Sequence, residues 1–262
     1  LPANMNAIMK IAKKHKLRVI EDSCETMFVK RDGLVVGSLS DIACFSTYVA
    51  HLLTTGVGGL ALTDDKEIAV KLRSLVNHGR DSIYISIDDD KGKSGKELKE
   101  IIGRRFSVVD VGYSYRLTEL EGALGLAGLA KWKEDLTLRK KNALMLLKGL
   151  SEFSDFFQLP FIPKGADHAF MMFPIVVTNR KIKSRELISW LENYNIETRH
   201  LLPLLNQPIY RKMFGDIESQ YPIAQFVRKN GFYIGCHPGL SFADVSYIIA
   251  VFKEFFRSKG FT

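Results

Sequence analysis

The first half of the chain alternates between helical and strand spacing of its hydrophobic residues. Apolar residues at positions 5, 8, 9, 11 and 12 recur at helical spacing and predict a helix over residues 4–16. The apolar run 17–20 predicts a largely buried strand with Glu21 and Asp22 at its carboxyl end, where ligands gather in α/β sheets. Strands are also predicted over residues 41–48 and 60–63, and a helix over residues 65–77.

The second half shows the same mixture of elements. A helix rich in Ala, Gly and Leu is predicted over residues 118–129, and its small side chains should let it pack closely. A long amphipathic helix over 131–153 follows. Then come a strand over 168–178, a helix over 184–194 capped by Ser184, a strand over 196–201, and helices over 223–229 and 242–256. This alternation predicts an α/β fold with two domains, residues 1–130 and 131–262.

Composition and charge exclude several classes of protein. The 262 residues are 46% hydrophobic and 25% charged, and no apolar run approaches the ~20 residues of a membrane span, so no membrane partner is predicted. The net charge of +8 lies largely in helical stretches typical of solvated faces, although a positive field would also favour an anionic small substrate. Without a zinc finger, an aromatic RNA-binding motif or a basic arm, no nucleic-acid partner is predicted. Three scattered cysteines favour a reducing cytoplasm over a disulfide framework.

Seven segments together carry a resemblance to a known family. They are V-I-E-D-S-C-E (19–25), G-S-L-S-D-I-A-C-F-S (37–46), T-T-G-V-G-G (54–59), N-H-G-R-D (77–81), G-Y-S-Y-R-L-T-E-L-E-G-A-L-G (112–125), I-E-T-R (196–199) and Q-P-I-Y (207–210). In this order and at these spacings they resemble the DegT/DnrJ/StrS family of sugar aminotransferases and dehydratases. The resemblance covers essentially the whole chain.

The resemblance implies an α/β fold of the fold-type I class, whose enzymes use pyridoxal 5'-phosphate (PLP) or pyridoxamine 5'-phosphate (PMP). Residues 1–130 would be the remainder of the large cofactor-binding domain, and 131–262 a linking helix with the small C-terminal domain. The family's large domain normally begins earlier, so the chain is expected to be the C-terminal portion of a longer enzyme. The family resemblance also implies a homodimer, because such sites lie between subunits.

Three residues match family positions that contact the cofactor. Asp22 matches the aspartate beside the pyridine nitrogen, where a carboxylate keeps that nitrogen protonated. Glu25 stands where the aminotransferases usually have Gln near the ring hydroxyl, and a glutamate there is similar to the deoxysugar 3-dehydratases. Ser46 matches a serine that contacts the cofactor phosphate. A fourth position, Ser114, stands where the family commonly has an Asn that reaches the phosphate of the neighbouring subunit, and a serine there is expected to donate a hydrogen bond of shorter reach.

His51 occupies the position of the lysine that bonds covalently to the cofactor in most of the family. It lies five residues after Ser46, between the predicted strand and the glycine loop. Imidazole does not hold the cofactor as lysine does, but it moves protons near neutral pH. We therefore expect His51 to be a catalytic acid and base, with a degenerate, inactive site as the alternative.

Two further residues are candidates for substrate binding. His78 in the N-H-G-R-D segment is a candidate for the substrate pocket, and the alternative is a histidine that structures the turn before Gly79. Arg199 matches a family segment near the sugar nucleotide, and its guanidinium fork suits phosphate, although a surface role is nearly as well supported. No metal is predicted, because the cysteines that hold an iron–sulfur cluster in the CDP-sugar branch are missing after position 81.

The resemblance implies C3 deoxygenation of a nucleotide-linked 4-keto-6-deoxyhexose in deoxysugar or surface-polysaccharide biosynthesis. His51 would take a proton from the cofactor and protonate the departing C3 hydroxyl, and glutamate would recharge the cofactor with an amino group. Two alternatives stay open: a nucleotide-sugar 4-aminotransferase, and a non-catalytic subunit that binds cofactor or sugar nucleotide for a partner.

Overall fold

The computed structural model describes residues 1–83, 88–201 and 204–261. They form two compact units, one from Pro2 to Trp132 and the other from Lys133 onward. Within the described ranges, every helix is too short or too polar to serve as a membrane span.

The first unit opens with the predicted helix, α1 (Met5–His15). The side chain of Asn4 accepts a hydrogen bond from the Ala7 N–H at 3.2 Å and caps the amino end. Lys16 takes a left-handed conformation, φ 54°, and its N–H bonds back to the last turn. The helix expected over residues 4–16 is thereby confirmed, with both end residues acting as caps.

The sheet of the first unit has three strands in the order β1-β4-β5. Its strands are β1 (Ile20–Asp22), β4 (Ile42–Ser46) and β5 (Gly59–Leu62); β1 is parallel to β4, and β4 is antiparallel to β5. Two short strands, β2 (Lys30–Arg31) and β3 (Leu34–Val35), form a separate hairpin. The predicted strands at 41–48 and 60–63 are therefore present with tighter bounds.

The expectation of a buried strand over residues 17–20 is wrong. The strand begins only at Ile20, and Leu17 and Ile20 are exposed by 59% and 69%. The buried residue is Glu21, whose carboxylate accepts from Ser23 Oγ at 2.7 Å and from the Gly37 N–H at 3.1 Å. Both bonds reach Oε1 and offset part of the cost of burying this carboxylate. Because side chains alternate along a strand, the neighbouring Asp22 lies on the other face of the sheet.

Three helices complete the first unit. They are α2 (Lys66–Val76), α3 (Gly95–Arg104) and the start of α4 (Glu119–Leu150). Asp65 caps α2 by accepting from the N–H groups of Glu67 and Ile68, which confirms the helix predicted there. Helix α3 was not predicted, since a highly charged stretch precedes it and only Ile101 on it is buried.

Helix α4 corrects the prediction of two helices over 118–129 and 131–153. The chain continues as one helix because the intervening Ala130 is a strong helix former and nothing breaks the pattern. A Cβ on Gly128 would meet Leu53 Cδ1 at 2.6 Å, and one on Gly125 would meet Thr55 Cγ2 at 3.2 Å. These distances confirm that the small-residue stretch packs closely against residues that follow His51.

The second unit contains a four-stranded antiparallel sheet in the order β6-β7-β9-β8. Its strands are β6 (Phe157–Gln158), β7 (Phe173–Val177), β8 (Thr198–His200) and β9 (Gly231–Ile234). Its helices, besides the second half of α4, are α5 (Ser184–Asn193), α6 (Pro208–Phe214), α7 (Pro222–Asn230) and α8 (Phe242–Ser258).

Helix α8 supplies much of the core of the second unit. It begins with a capping box in which Ser241 and Asp244 satisfy each other's backbone N–H groups. Its buried residues Phe252 and Phe256 join one hydrophobic cluster with residues of β7 and β9. The predicted cap of α5 is wrong: Lys183 precedes the helix, and the Ser184 hydroxyl instead donates to the Lys229 carbonyl at 2.8 Å.

Candidate active site

One face of the β1-β4 pair gathers the predicted cofactor residues of the first unit. Asp22 is the last residue of β1 and lies opposite Cys44 of β4, while Ser46 ends β4. Successive side chains of a strand point to opposite faces, so Asp22, Cys44 and Ser46 share one face, whereas Ala43 and Phe45 are buried on the other. The parallel pairing thus brings the ends of two strands, and two candidate residues, to the same edge.

Asp22 is exposed and is held as an anion. Its Oδ1 accepts from the Cys24 N–H at 3.2 Å. A hydrogen bond with the Cys24 thiol, this backbone bond and the nearby His51 all hold the pKa of the Asp22 carboxyl below its usual range. Burial and the same carboxylate raise the pKa of the Cys24 thiol to about 11, so the thiol stays protonated. Asp22 is therefore a negative charge available to a cationic group on that face.

His51 lies next to Ser46 in a tight turn. Its Nδ1 is 3.3 Å from Ser46 Oγ, and its N–H donates to the Tyr48 carbonyl at 2.9 Å. The Tyr48 ring stands edge-on to the imidazole with centroids 6.3 Å apart, and the Tyr48 N–H donates to Ser46 Oγ at 3.2 Å. The imidazole is half-buried and is held through Nδ1, which leaves Nε2 for exchange with a ligand.

The glycine loop that follows His51 is pinned to the end of β4. The Thr47 N–H donates to the Gly58 carbonyl at 3.0 Å, and the hydroxyls of Thr47 and Thr55 are 2.6 Å apart. Thr55 also donates to the Val57 carbonyl at 2.6 Å. Both threonines are buried, so their hydroxyls are satisfied inside the loop and fix the turn that carries His51.

Glu25 lies on the exposed side of the turn that follows Asp22. The Thr26 N–H closes this turn on the Ser23 carbonyl at 3.1 Å. Glu25 follows Asp22 by three residues, and its side chain is exposed. Its place near a cofactor ring stays a prediction.

His78 and Ser114 form a second group with an arginine that the sequence did not single out. The Asn77 and Ser114 backbones form a β-bridge. Arg116 Nη2 donates to His78 Nε2 at 3.1 Å and to Ser114 Oγ at 3.3 Å. Arg116 lies two residues after Ser114 in the Y-S-Y-R segment, and that strand-like spacing was the available signal.

Two glycines make this second group possible. A Cβ on Gly79 would collide with the Asp110 carbonyl, and one on Gly112 would collide with the Gly79 backbone. Gly79 also has a positive φ of 73°, and the preceding His78 has φ 63°. The turn therefore fixes the backbone at His78 and presents the exposed imidazole to Arg116. Both the substrate role and the structural role of His78 stay predictions.

Arg199 belongs to the second unit, on β8. Its guanidinium pairs with Glu197 and donates to its neighbour's carbonyl, Thr198 O, at 3.1 Å. It lines a cavity of about 570 Å³ together with polar and aromatic side chains, among them Tyr233, His237 and Tyr247. The Glu197 carboxylate already neutralises part of its charge, so a phosphate would have to compete with that carboxylate.

The comparisons with known proteins identify the family. The model of the "DegT/DnrJ/EryC1/StrS aminotransferase family" matches residues 1–253. The chain belongs to the DegT/DnrJ/EryC1/StrS family. The resemblance inferred from the seven segments is therefore confirmed.

Individual members carry different names. The "Lipopolysaccharide biosynthesis protein RfbH" of Salmonella typhimurium is 30% identical over 261 residues, which cover 97% of this chain and 60% of that protein. A DegT DnrJ EryC1 StrS aminotransferase from Brucella abortus is 27% identical with a TM-score of 0.77, covering 97% of this chain and 61% of the other. The chain thus spans about three fifths of the length of these relatives.

A second solved structure shows the fold of a dehydratase of the family. The E. coli GDP-4-keto-6-deoxy-D-mannose-3-dehydratase, solved with bound hydrated PLP, has a TM-score of 0.80 at 23% identity, covering 95% of this chain and 64% of that one. The predicted α/β fold class of PLP-dependent sugar enzymes is confirmed by these neighbours.

Proposed function

We propose that this chain carries part of the active site of a PLP/PMP-dependent sugar 3-dehydratase. The enzyme would remove the C3 hydroxyl of a nucleotide-linked 4-keto-6-deoxyhexose, with His51 as acid and base. The observation that supports this most is the placement of His51: a histidine is held by Ser46 at 3.3 Å, beside the sheet face that carries the anionic Asp22.

The residues on this face fit the cofactor. Asp22 offers an exposed carboxylate for a protonated ring nitrogen, and Ser46 offers a hydroxyl donor for the phosphate. Ser114, in the second group with Arg116, is proposed to reach the cofactor phosphate of the neighbouring subunit. Glu25 lies on the exposed turn after Asp22, within the same segment. When bound, PMP supplies an amine that bonds to a keto sugar and a protonated ring that accepts electrons. The chain's own contribution is to keep Asp22 ionised and to position His51.

His51 would perform two proton transfers in this scheme. With Nδ1 next to Ser46, Nε2 is the nitrogen that takes a proton from the reacting carbon and later gives one to the leaving C3 hydroxyl. A positioned acid and base of this kind contributes roughly 10²–10⁴-fold to a rate.

Substrate and subunit contacts are part of the same proposal. His78, together with Arg116, presents a donor to an anionic sugar nucleotide, and Arg199 would do so if the substrate displaced Glu197. Glutamate is the proposed amino donor, and a homodimer in the cytoplasm is the proposed setting. Several large apolar side chains of the first unit are exposed, among them Val111, Leu120 and Leu126, and they support a protein partner there.

The main rival function is transfer of an amino group to the sugar. The Brucella relative named as an aminotransferase favours it, but His51 cannot hold the cofactor covalently as a lysine does. A non-catalytic subunit is the second rival, and the retained contacts of Asp22 and Ser46 argue against full decay of the site.

The products of the full-length protein test these functions directly. With a nucleotide-linked 4-keto-6-deoxyhexose, PMP and glutamate, we expect ammonia and a 3-deoxy sugar, and His51→Asn should lower turnover by about 10²–10⁴-fold with unchanged folding. A 4-amino sugar would establish the aminotransferase instead. Cofactor binding without any turnover would favour the non-catalytic subunit. His51→Lys serves as the matched variant, since it should restore covalent attachment of PLP, visible in the absorption spectrum.

A further inference from the structure

The Ser46 hydroxyl lies between two hydrogen-bonding groups of the turn that carries His51. The Tyr48 N–H points at Ser46 Oγ from 3.2 Å, and His51 Nδ1 is 3.3 Å away. A hydroxyl donates one hydrogen bond and accepts two. The Tyr48 N–H is a fixed donor, so it uses one acceptor position of Ser46 in every state of the site.

The remaining bond, between Ser46 and His51, has two possible directions. If the Ser46 O–H donates to Nδ1, the neutral imidazole carries its proton on Nε2 and Nε2 cannot accept one. If Nδ1–H donates to Ser46, the second acceptor position of the hydroxyl is filled, its own proton is free, and Nε2 is a base. The direction of one hydrogen bond thus decides whether the outward nitrogen of His51 can take a proton.

We propose that Ser46 is a positioning residue that couples anion binding to the tautomer of His51. A phosphate oxygen that accepts the Ser46 O–H withdraws this proton from the Ser46–His51 bond, so Nδ1 becomes the donor and Nε2 becomes the base. The inference rests on the proposed function, since it takes the phosphate of the cofactor as the anion. The tautomer of His51 with a basic Nε2 is then favoured when the cofactor is in place.

The surroundings of the turn favour this coupling over a simple rotation of the ring. The His51 N–H bond to the Tyr48 carbonyl at 2.9 Å fixes the backbone, and the Tyr48 ring lies edge-on to the imidazole. The next segment is pinned by the buried hydroxyls of Thr47 and Thr55. The imidazole therefore keeps Nδ1 towards Ser46, and a change at Ser46 reaches it through the proton.

Nitrogen-15 NMR of the imidazoles in the full-length protein tests the proposal. The probes are PMP and pyridoxamine, which differ in the phosphate alone. PMP should raise the ratio of the Nδ1–H to the Nε2–H tautomer of neutral His51 by about fivefold, the change expected from one net hydrogen bond. Pyridoxamine should leave that ratio unchanged.

Two variants separate the proposed coupling from a structural effect. Ser46→Ala should abolish the response of the His51 tautomer to PMP, and Ser46→Thr should restore it, because threonine keeps the hydroxyl. Cys44→Ala is the matched control on the same face of β4 and should respond like the unchanged protein. His78 is an internal reference: Arg116 donates to its Nε2, so its Nδ1–H tautomer should persist in every sample.

The outcomes distinguish this inference from the proposed function. If PMP binds and His51 keeps the Nε2–H tautomer, or if Ser46→Ala responds like the unchanged protein, the coupling is wrong while the function survives. If PMP leaves all imidazole signals unchanged, the proposed function fails. In that case inorganic phosphate takes its place as the anion: a Ser46-dependent change in the His51 tautomer would still support the coupling, and no change would overturn it.

Discussion

The two units of this chain differ in what they bury. Among the described residues, all twelve of the largest fully buried side chains lie in the second unit, and seven of them are phenylalanines. The hydrophobic cluster described in the first unit is small: Met27, Ala43, Phe45 and Leu53 are its buried members. The unit that holds Asp22, Ser46 and His51 is therefore the one with the thinner core.

The same difference appears at the surface. All four residues of β5 are exposed, and so are Ile20 on β1 and Val111, the latter by 88%. Contiguous exposed apolar side chains are typical of surfaces that contact other protein. The second unit is thus stabilised by its own core, whereas the first unit, which carries the candidate chemistry, leaves many apolar side chains exposed.

Removing a central phenylalanine of the second unit should have the largest effect. Phe252 is fully buried and packs edge-on against Phe157 with centroids 6.1 Å apart, so Phe252→Ala should destabilise this unit by about 3–5 kcal/mol. Urea unfolding followed by Trp190 fluorescence in a Trp132→Phe background measures it. Phe161→Ala is the control, since Phe161 is 76% exposed. Equal losses of unfolding free energy in Phe252→Ala and Phe161→Ala would contradict the conclusion that the buried core stabilises the second unit.

Replacing three glycines of α4 by alanine, one at a time, tests how tightly each unit is packed around this helix. A Cβ on Gly149 would meet Ile249, with Cγ1 at 2.8 Å and Cγ2 at 2.9 Å, so overpacking of about 1–3 kcal/mol should exceed the helix-propensity gain of about 1 kcal/mol. Gly128→Ala should be nearly neutral, because Leu53 Cδ1 is the end of a flexible side chain. Gly122→Ala has nothing within 4 Å and should stabilise the helix.

The order of these three variants can be read from thermal melts of the full chain. We expect Gly149→Ala to melt lowest and Gly122→Ala highest. If Gly128→Ala were as damaging as Gly149→Ala, the small core of the first unit would be as tightly packed as the large one.

Lowering the pH should have the smallest effect on the stability of the two units, and it should act on both in the same way. The reason is that each unit buries a carboxylate beside an arginine. Arg104 holds the pKa of Asp81 below its usual range in the first unit, with Nη2 at 2.6 Å from Oδ2, and Arg228 does the same for Glu218 in the second. A depressed folded pKa contributes stability that is present above the ordinary carboxyl value of about 4 and is lost as pH falls through the folded value.

Asp81→Asn should therefore flatten the acid side of the stability curve of the first unit, and Glu218→Gln that of the second. Unfolding free energy measured from neutral pH down to about pH 2, with Trp132 and Trp190 as separate reporters, checks this. A steeper loss of stability with acid in either variant would show that the sign of the coupling is wrong.

Much of the candidate site could be predicted from the sequence. The segments around Asp22, Ser46 and His51 identified the family, and hydrophobic spacing placed the helices over 4–16, 65–77 and 242–256. Their caps, Asn4, Asp65 and Ser241, became evident only in the structure. The sequence did not single out Arg116, because an arginine in a polar segment can equally be exposed to solvent, pair with a carboxylate or bind a ligand. The strand at 17–20 was misplaced because hydrophobicity there does not indicate burial, and Glu21 is buried through its hydrogen bonds instead.

What the sequence determined by itself is the identity and order of the chemical groups: a histidine at position 51, a carboxylate at 22 and a hydroxyl at 46. Only the tertiary structure decided which of them share a face. The parallel pairing of β1 with β4 places Asp22 and Ser46 on one side of the sheet and buries Glu21 on the other. The physical reason is that strand pairing and hydrogen-bond geometry arise from contacts distant in sequence, and residue order alone does not specify the direction in which each side chain points.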